Sequence, residues 1–212
     1  MRRTRNPGRS GGAALGWSVV IAAAAVLVLA ACTDDGGSSA GGDDPTPTAW
    51  PQPTGEVLTV EPVDAIDGAT RFESDGVSVL VPEGWETERR EAQEPDLVQI
   101  FVISPDDRRT MVGITVGSTP GDADAVEGAA TTLFAQSALG GATDMVQRPA
   151  QWSGWRYASA VTGAVEAGEI DFVAVTLLSK GQNVISVVAR APAGALDGSL
   201  ADQVMRSLKD LG

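Results

Sequence analysis

Histidine is absent from all 212 residues, and cysteine occurs once, at Cys32. Without imidazole the chain has no Ser-His-Asp or Cys-His catalytic set and no histidine metal site. A lone thiol makes no disulfide within the chain, and once Cys32 is modified no thiolate is left for metal binding or nucleophilic attack. Lysine is confined to Lys180 and Lys209, and tyrosine to Tyr157. The chemistry left rests on carboxylates, hydroxyls and a few arginines. That inventory is thin, although paired carboxylates can hydrolyse glycosides.

The first 31 residues contain no acidic residue. Arg2, Arg3, Arg5 and Arg9 open the chain, and an uncharged stretch from Gly11 to Ala31 follows, densest at VVIAAAAVLVLAA. A basic region followed by an apolar one reads as an export signal, with the positive end held in the cytoplasm. The apolar run ends Leu29-Ala30-Ala31-Cys32. An aliphatic residue, two small ones and then cysteine resembles the bacterial lipobox. The resemblance implies a lipid on the Cys32 sulfur and cleavage before it. Each buried methylene contributes roughly 0.8 kcal/mol, so two or three acyl chains hold a protein stably where one holds it marginally. The competing readings are an uncleaved transmembrane helix, since about 20 apolar residues can span a bilayer, and an ordinary secretory signal. Arg2-Arg3 also raises twin-arginine export, but no apolar residues follow the pair closely.

Removing residues 1–31 takes away four of the 15 basic residues and none of the 28 acidic ones, leaving 11 against 28, a net charge of −17. Such a surface repels phosphate backbones, which argues against nucleic acid as a partner. It repels anionic headgroups too, so the domain should stand off the bilayer. Residues 32–56 suit that geometry. Gly, Ser, Asp and Pro dominate TDDGGSSAGGDDPTPTAWPQPTG, and Trp50 is its one bulky residue. This composition buries too little surface to order itself and is expected to act as a flexible linker.

Residues 57–212 read as one domain. Val77, Val79 and Val81 alternate with Ser78 and Leu80 after Asp75-Gly76, the period of a strand that follows a turn. Residues 96–105 and 110–120 are two further strands joined by a Pro-Asp-Asp turn. The period then lengthens: Val126, Ala129, Ala130, Leu133, Phe134 and Ser137 share one helical face, with Asp122 or Asp124 as N-cap and Gly140-Gly141 as the stop. A short strand near 144–149 precedes three more, over 154–166, 169–180 and 183–190, which form an antiparallel meander. A final helix is expected to carry Leu200, Val204, Leu208 and Leu211 on one side, capped by Asp197 or Ser199. The expected fold class is α+β, an antiparallel sheet with packed helices.

FESDGVSVLVPEGW at the front of this domain and DQVMRSLKDL at its end resemble the PsbP/Mog-like α/β/α sandwich. The pattern is similar to the subgroup containing the actinobacterial LpqN-type lipoproteins, across roughly residues 57–212. The resemblance implies an accessory or binding role and names no catalytic residue or cofactor.

Several clusters stand out. Trp152, Trp155 and Tyr157 gather three of the domain's few aromatics beside Arg156. They offer either an aromatic platform for a sugar or acyl chain or ordinary sheet packing. Asp122, Asp124 and Glu127 have oxygen ligands of the kind calcium takes, but lie in the first turn of a helix, where the dipole already favours acids. Arg89 and Arg90 in ERRE (88–91), and Arg108 and Arg109 in DDRR (106–109), are expected in loops, pairing locally or recognising a carboxylate. Trp85 in VPEGW is expected in the core.

Together these features point to a non-enzymatic binding or accessory module of the cell envelope. It would be lipid-anchored through Cys32 on the extracytoplasmic face of the cell membrane and need no cofactor. Its expected partners are an envelope protein or a small glycan or lipid ligand. A carboxylate-based envelope hydrolase and a structural partner of a membrane complex are the alternatives.

Overall fold

The structure, a computed structural model, describes residues 55–92 and 96–212. Residues 1–31, Cys32 and the linker as far as Thr54 therefore lie outside the described residues. Among the described residues eleven strands fall into two sheets. The larger contains β1 (Leu58–Val60), β4 (Glu86–Glu91), β5 (Leu97–Ile103), β6 (Met111–Pro120), β7 (Thr143–Trp152), β8 (Tyr157–Val165), β9 (Ile170–Leu178) and β10 (Asn183–Pro192). Its order is β1-β7-β8-β9-β10-β6-β5-β4, antiparallel throughout except where β1 runs parallel to β7. The smaller sheet pairs β2 (Thr70–Ser74), β3 (Val77–Val81) and β11 (Lys209–Asp210) in the order β11-β3-β2.

Asp75 and Gly76 join β2 to β3 with φ of 50° and 79°. Two consecutive left-handed residues match the twist of a tight hairpin, and Asp-Gly is the pair that tolerates them. β3 is buried along its whole length. Val77, Val79 and Val81 pack into the main core with Ile100, Val102, Val112, Ile114, Val175 and Leu177 of the large sheet.

Two α-helices complete the described residues. Helix α1 (Ala123–Leu139) packs on the outer face of the large sheet over β7, β8 and β9. Asp122 is its N-cap, accepting the Ala125 N–H at 3.0 Å. Helix α2 (Leu200–Arg206) lies on the inner face between β10, β6 and β3, capped by Ser199, which accepts the Asp202 N–H at 3.1 Å. Beneath α1 the sheet is crowded. A Cβ on Gly163 would lie 2.9 Å from Met145 Cγ and 3.0 Å from both Phe172 and the Thr143 carbonyl, so β8 requires glycine there.

The expected α+β, PsbP/Mog-like α/β/α sandwich is corrected by this architecture. Of the described residues 49% are strand and 17% helix, with two helices and one mixed eight-stranded sheet, which makes the fold β-rich. The physical reason lies at the C-terminus. The expected helix stops at Arg206, because Lys209 and Asp210 turn to pair with Ser78 and Val77 of β3. A small sheet, with only seven helical residues beside it, therefore covers the inner face where a helical layer was expected. Val204 and Leu208 are buried, but Leu200 and Leu211 are exposed.

Besides β11, three strands were not expected: β2, which makes the Asp75-Gly76 turn a hairpin, and the two edge strands of the large sheet. ERRE (88–91), expected as loop, lies in the edge strand β4, ETERRE. A strand exposed on both faces need not alternate, and charged side chains keep such an edge from pairing with other chains. Arg89 reaches from it to Asp75 through two hydrogen bonds of 2.9 Å, tying the large sheet to the hairpin of the small one. The Arg89 hydrogen bond holds the Asp75 carboxyl below the usual carboxylate range. At the opposite edge β1 has only three residues, too few to show a period.

Candidate functional site

The chain does not bring Trp152, Trp155, Arg156 and Tyr157 together on one face. A turn closed by the Trp155 N–H on the Trp152 carbonyl, at 3.2 Å, passes through Gly154 at φ 95° and folds both tryptophans onto the inner face. Their rings meet edge to face with centroids 6.2 Å apart. Trp152 is buried in the main core and Trp155 packs half-buried against it. Arg156 is exposed, and Tyr157 points to the outer face, where its hydroxyl donates to Glu127 Oε1 of α1 at 2.8 Å. The sheet thus separates Tyr157 from the two indoles.

Glu127 is the centre of a polar clasp. Besides Tyr157, Ser159 Oγ donates to its Oε2 at 3.0 Å and Gln147 Nε2 at 3.3 Å. This hydrogen bond from the phenol to a carboxylate raises the Tyr157 pKa above its ordinary value. Asp122 and Glu127 are thereby committed to helix capping and sheet contact, and among the described residues no three acidic side chains converge as a metal site would need. The surface arginines are similarly engaged: Arg108 with Glu86 and Glu88, Arg109 with Asp107 and Glu169, and Arg90 with Glu88 while lying 5.1 Å from the Phe101 ring centroid. Trp85 is half-buried against the core.

The feature suited to binding lies elsewhere. Between β1, β8, β9, the loop 193–197 and α2 is a cleft of about 640 Å³. Its floor is formed by Leu58, Val60, Ala164, Val173, Leu196 and Met205. Glu61, Asp144, Asp171, Asp197 and Asp202 also line it, with Arg206 as the single cation. Arg206 is occupied: its Nε donates to the Glu61 carbonyl at 2.7 Å and its NH1 pairs with Asp202 at 3.3 Å. Asp171 accepts the Gly194 N–H at 2.7 Å and so fixes the loop over the cleft. Asp144 sits at φ 52° where β7 bulges against β8 between Thr143 and Val146. Such a bulge re-aims a side chain at the end of a strand.

Of these cleft residues the sequence singled out only Asp197, as a candidate helix cap and not as part of a site. The cleft residues come from six separate segments, and the one local signal is the recurrence of Asp at strand and helix starts: Asp144, Asp171 and Asp202.

No family model matches the chain, and no curated protein does either. A solved structure from Bacteroides thetaiotaomicron VPI-5482 is similar with a TM-score of 0.36 and 17% identity. The alignment covers 68% of this chain and 48% of that one, so the chain spans about half of that protein's length. A likeness this distant carries no argument about fold or activity. Among the described residues no helix is long and apolar enough to cross a membrane.

Proposed function

We propose that this chain is a lipid-anchored extracytoplasmic module of the cell envelope that works by binding a ligand rather than by catalysis. The observation that carries the binding half is the cleft beside α2: about 640 Å³, with an apolar floor contributed by three strands, a loop and a helix. Ligand sites fall between about 300 and 1,000 Å³ and are mostly apolar with a few polar groups at defined places. Leu29-Ala30-Ala31-Cys32 supports the anchoring half.

The binding half is tested by filling the cleft. Thr162 lines it on β8 and is half-buried, so Thr162→Trp places an indole in the space without removing a core side chain. The variant should keep the wild-type unfolding midpoint and lose ligand-induced stabilisation across a panel of small apolar and amphiphilic compounds. Stabilisation undiminished in the variant defeats the reading. The anchor is tested separately, by the intact mass of the protein extracted from membranes: an unmodified Cys32 in the processed chain removes it.

A further inference from the structure

We infer that the ligand of this cleft is a cationic amphiphile, a small molecule with an apolar body and an ammonium or guanidinium group. The inference rests on the binding reading above and goes beyond it by naming the ligand's charge. Two properties of the cleft carry it. The floor of Leu58, Val60, Leu196 and Met205, with Ala164 and Val173, is aliphatic, and the one aromatic in the lining, Phe172, is buried with Ala130 and Val161 in the cluster beneath α1. The floor rewards burial of hydrocarbon and offers neither the indole nor the phenol face on which a sugar ring stacks. Five carboxylates surround that floor, and its one guanidinium is already shared between Asp202 and the Glu61 carbonyl.

The remaining acids divide in two. Asp171 and Asp202 have partners of their own, the Gly194 N–H and the Arg206 guanidinium. Glu61, Asp144 and Asp197 are exposed, and none is paired with a cation among the described residues. A carboxylate ligand would meet like charge on every side. A neutral one would draw nothing from the three carboxylates at the rim. An ammonium tethered to an apolar body satisfies both the floor and the rim, with complementarity acting on selectivity more than on bulk affinity.

Three probes of one shape separate charge from hydrophobicity: 4-phenylbutylammonium, 4-phenylbutanol and 4-phenylbutyrate. The full-length protein, labelled with carbon-13 at its methionine methyls and held in neutral detergent, is titrated with each. Met205 lies in the cleft floor and Met111 on the far face of the sheet, so their methyl resonances locate binding. The ammonium probe should shift the Met205 methyl and leave Met111 still, with an affinity about tenfold above that of the alcohol, while the carboxylate should bind weakest. Combining Glu61→Gln, Asp144→Asn and Asp197→Asn should bring ammonium and alcohol to the same affinity. Neutralising three remote exposed acids, Glu73, Glu83 and Asp106, should leave their ratio unchanged, which separates the rim from the overall negative charge. If alcohol and ammonium bind the cleft equally in the wild type, the charge assignment falls and the binding reading stands. If no probe moves Met205, both fall.

Discussion

The two helices of this domain are held in opposite ways. Helix α1 has 17 residues, of which only Val126, Ala130 and Thr131 are buried. Helix α2 has seven and buries the same number, Ala201, Val204 and Met205. The long helix rides on the outer face of the sheet through a small apolar patch and the Glu127 clasp. The short one is wedged between the two sheets and takes part in the main core. Helix length thus says little about how much a helix contributes, and the C-terminal segment is expected to govern the stability of the whole domain.

The largest test of that contrast is Leu208→Ala. Leu208 follows α2 directly, is 2% exposed and packs into the main core. Truncating a buried leucine costs about 2–5 kcal/mol, depending on how far the site collapses. The expected outcome is a urea midpoint shifted by that amount with an unchanged slope. A loss below about 1 kcal/mol would mean that this segment is not the keystone its burial implies.

Ser207→Ala should come next. The Ser207 hydroxyl donates to the Val204 carbonyl at 2.7 Å and accepts the Leu80 N–H at 2.8 Å, wholly buried. β11 pairs only with Val77 and Ser78, so beyond its reach the side chain takes over the role of a strand partner for β3. Without the hydroxyl the Leu80 N–H is left buried and unpaired, at a cost of about 1–3 kcal/mol. Amide exchange at Leu80 should accelerate more than at Val79.

Much of this was legible in the sequence, and the failures share a cause. The Asp75-Gly76 turn, the meander from β8 to β10 and the caps, narrowed in the sequence to Asp122 or Asp124 and to Asp197 or Ser199, are local features, set by turn chemistry and side-chain period. Where a distant segment decides the outcome, local pattern misleads. Lys209-Asp210 continues a helical pattern but is drawn into pairing with β3, more than 130 residues earlier in the chain. That pairing overrides propensity, as tertiary context does. ETERRE lacks alternation because an edge strand can face water on both sides. The cleft was illegible for the same reason. Its acids and its aliphatic floor are assembled only by the order of the strands, whereas QWSGWRY, contiguous and conspicuous, is divided between the two faces of the sheet.

On the outer face the corresponding change is Glu127→Ala, expected to cost about 1–2 kcal/mol, because it strips partners from Ser159 and Gln147, both buried. Tyr157 reports on it directly, being the chain's single tyrosine. Ultraviolet titration should show the phenol ionising at higher pH in the wild type than in the variant, where it returns toward the ordinary value of about 10. The sign for stability follows from the raised folded-state pKa. The clasp contributes fully below the unfolded phenol's pKa, and its contribution is lost as pH rises through the folded value. Wild type should therefore lose the Tyr157 share of its stability advantage over Glu127→Ala on the alkaline side and keep the whole of it at neutral pH. An identical tyrosine titration in the two proteins would dissolve the clasp.

The smallest effect belongs to the far end of α1. Leu139 is 90% exposed, the last residue of a helix with no basic side chain in its final turn. Nothing is lost by removing a side chain that packs on nothing, and a positive charge there faces the negative end of the helix dipole, worth about 0.3–1 kcal/mol at an exposed site. Leu139→Lys should accordingly leave the fold unchanged and raise the unfolding midpoint slightly, an increment that shrinks as salt is added. A loss of 1 kcal/mol or more would show that this leucine is covered in solution. The outer face would then have a packing partner, and the asymmetry between the two helices would be smaller than their burial indicates.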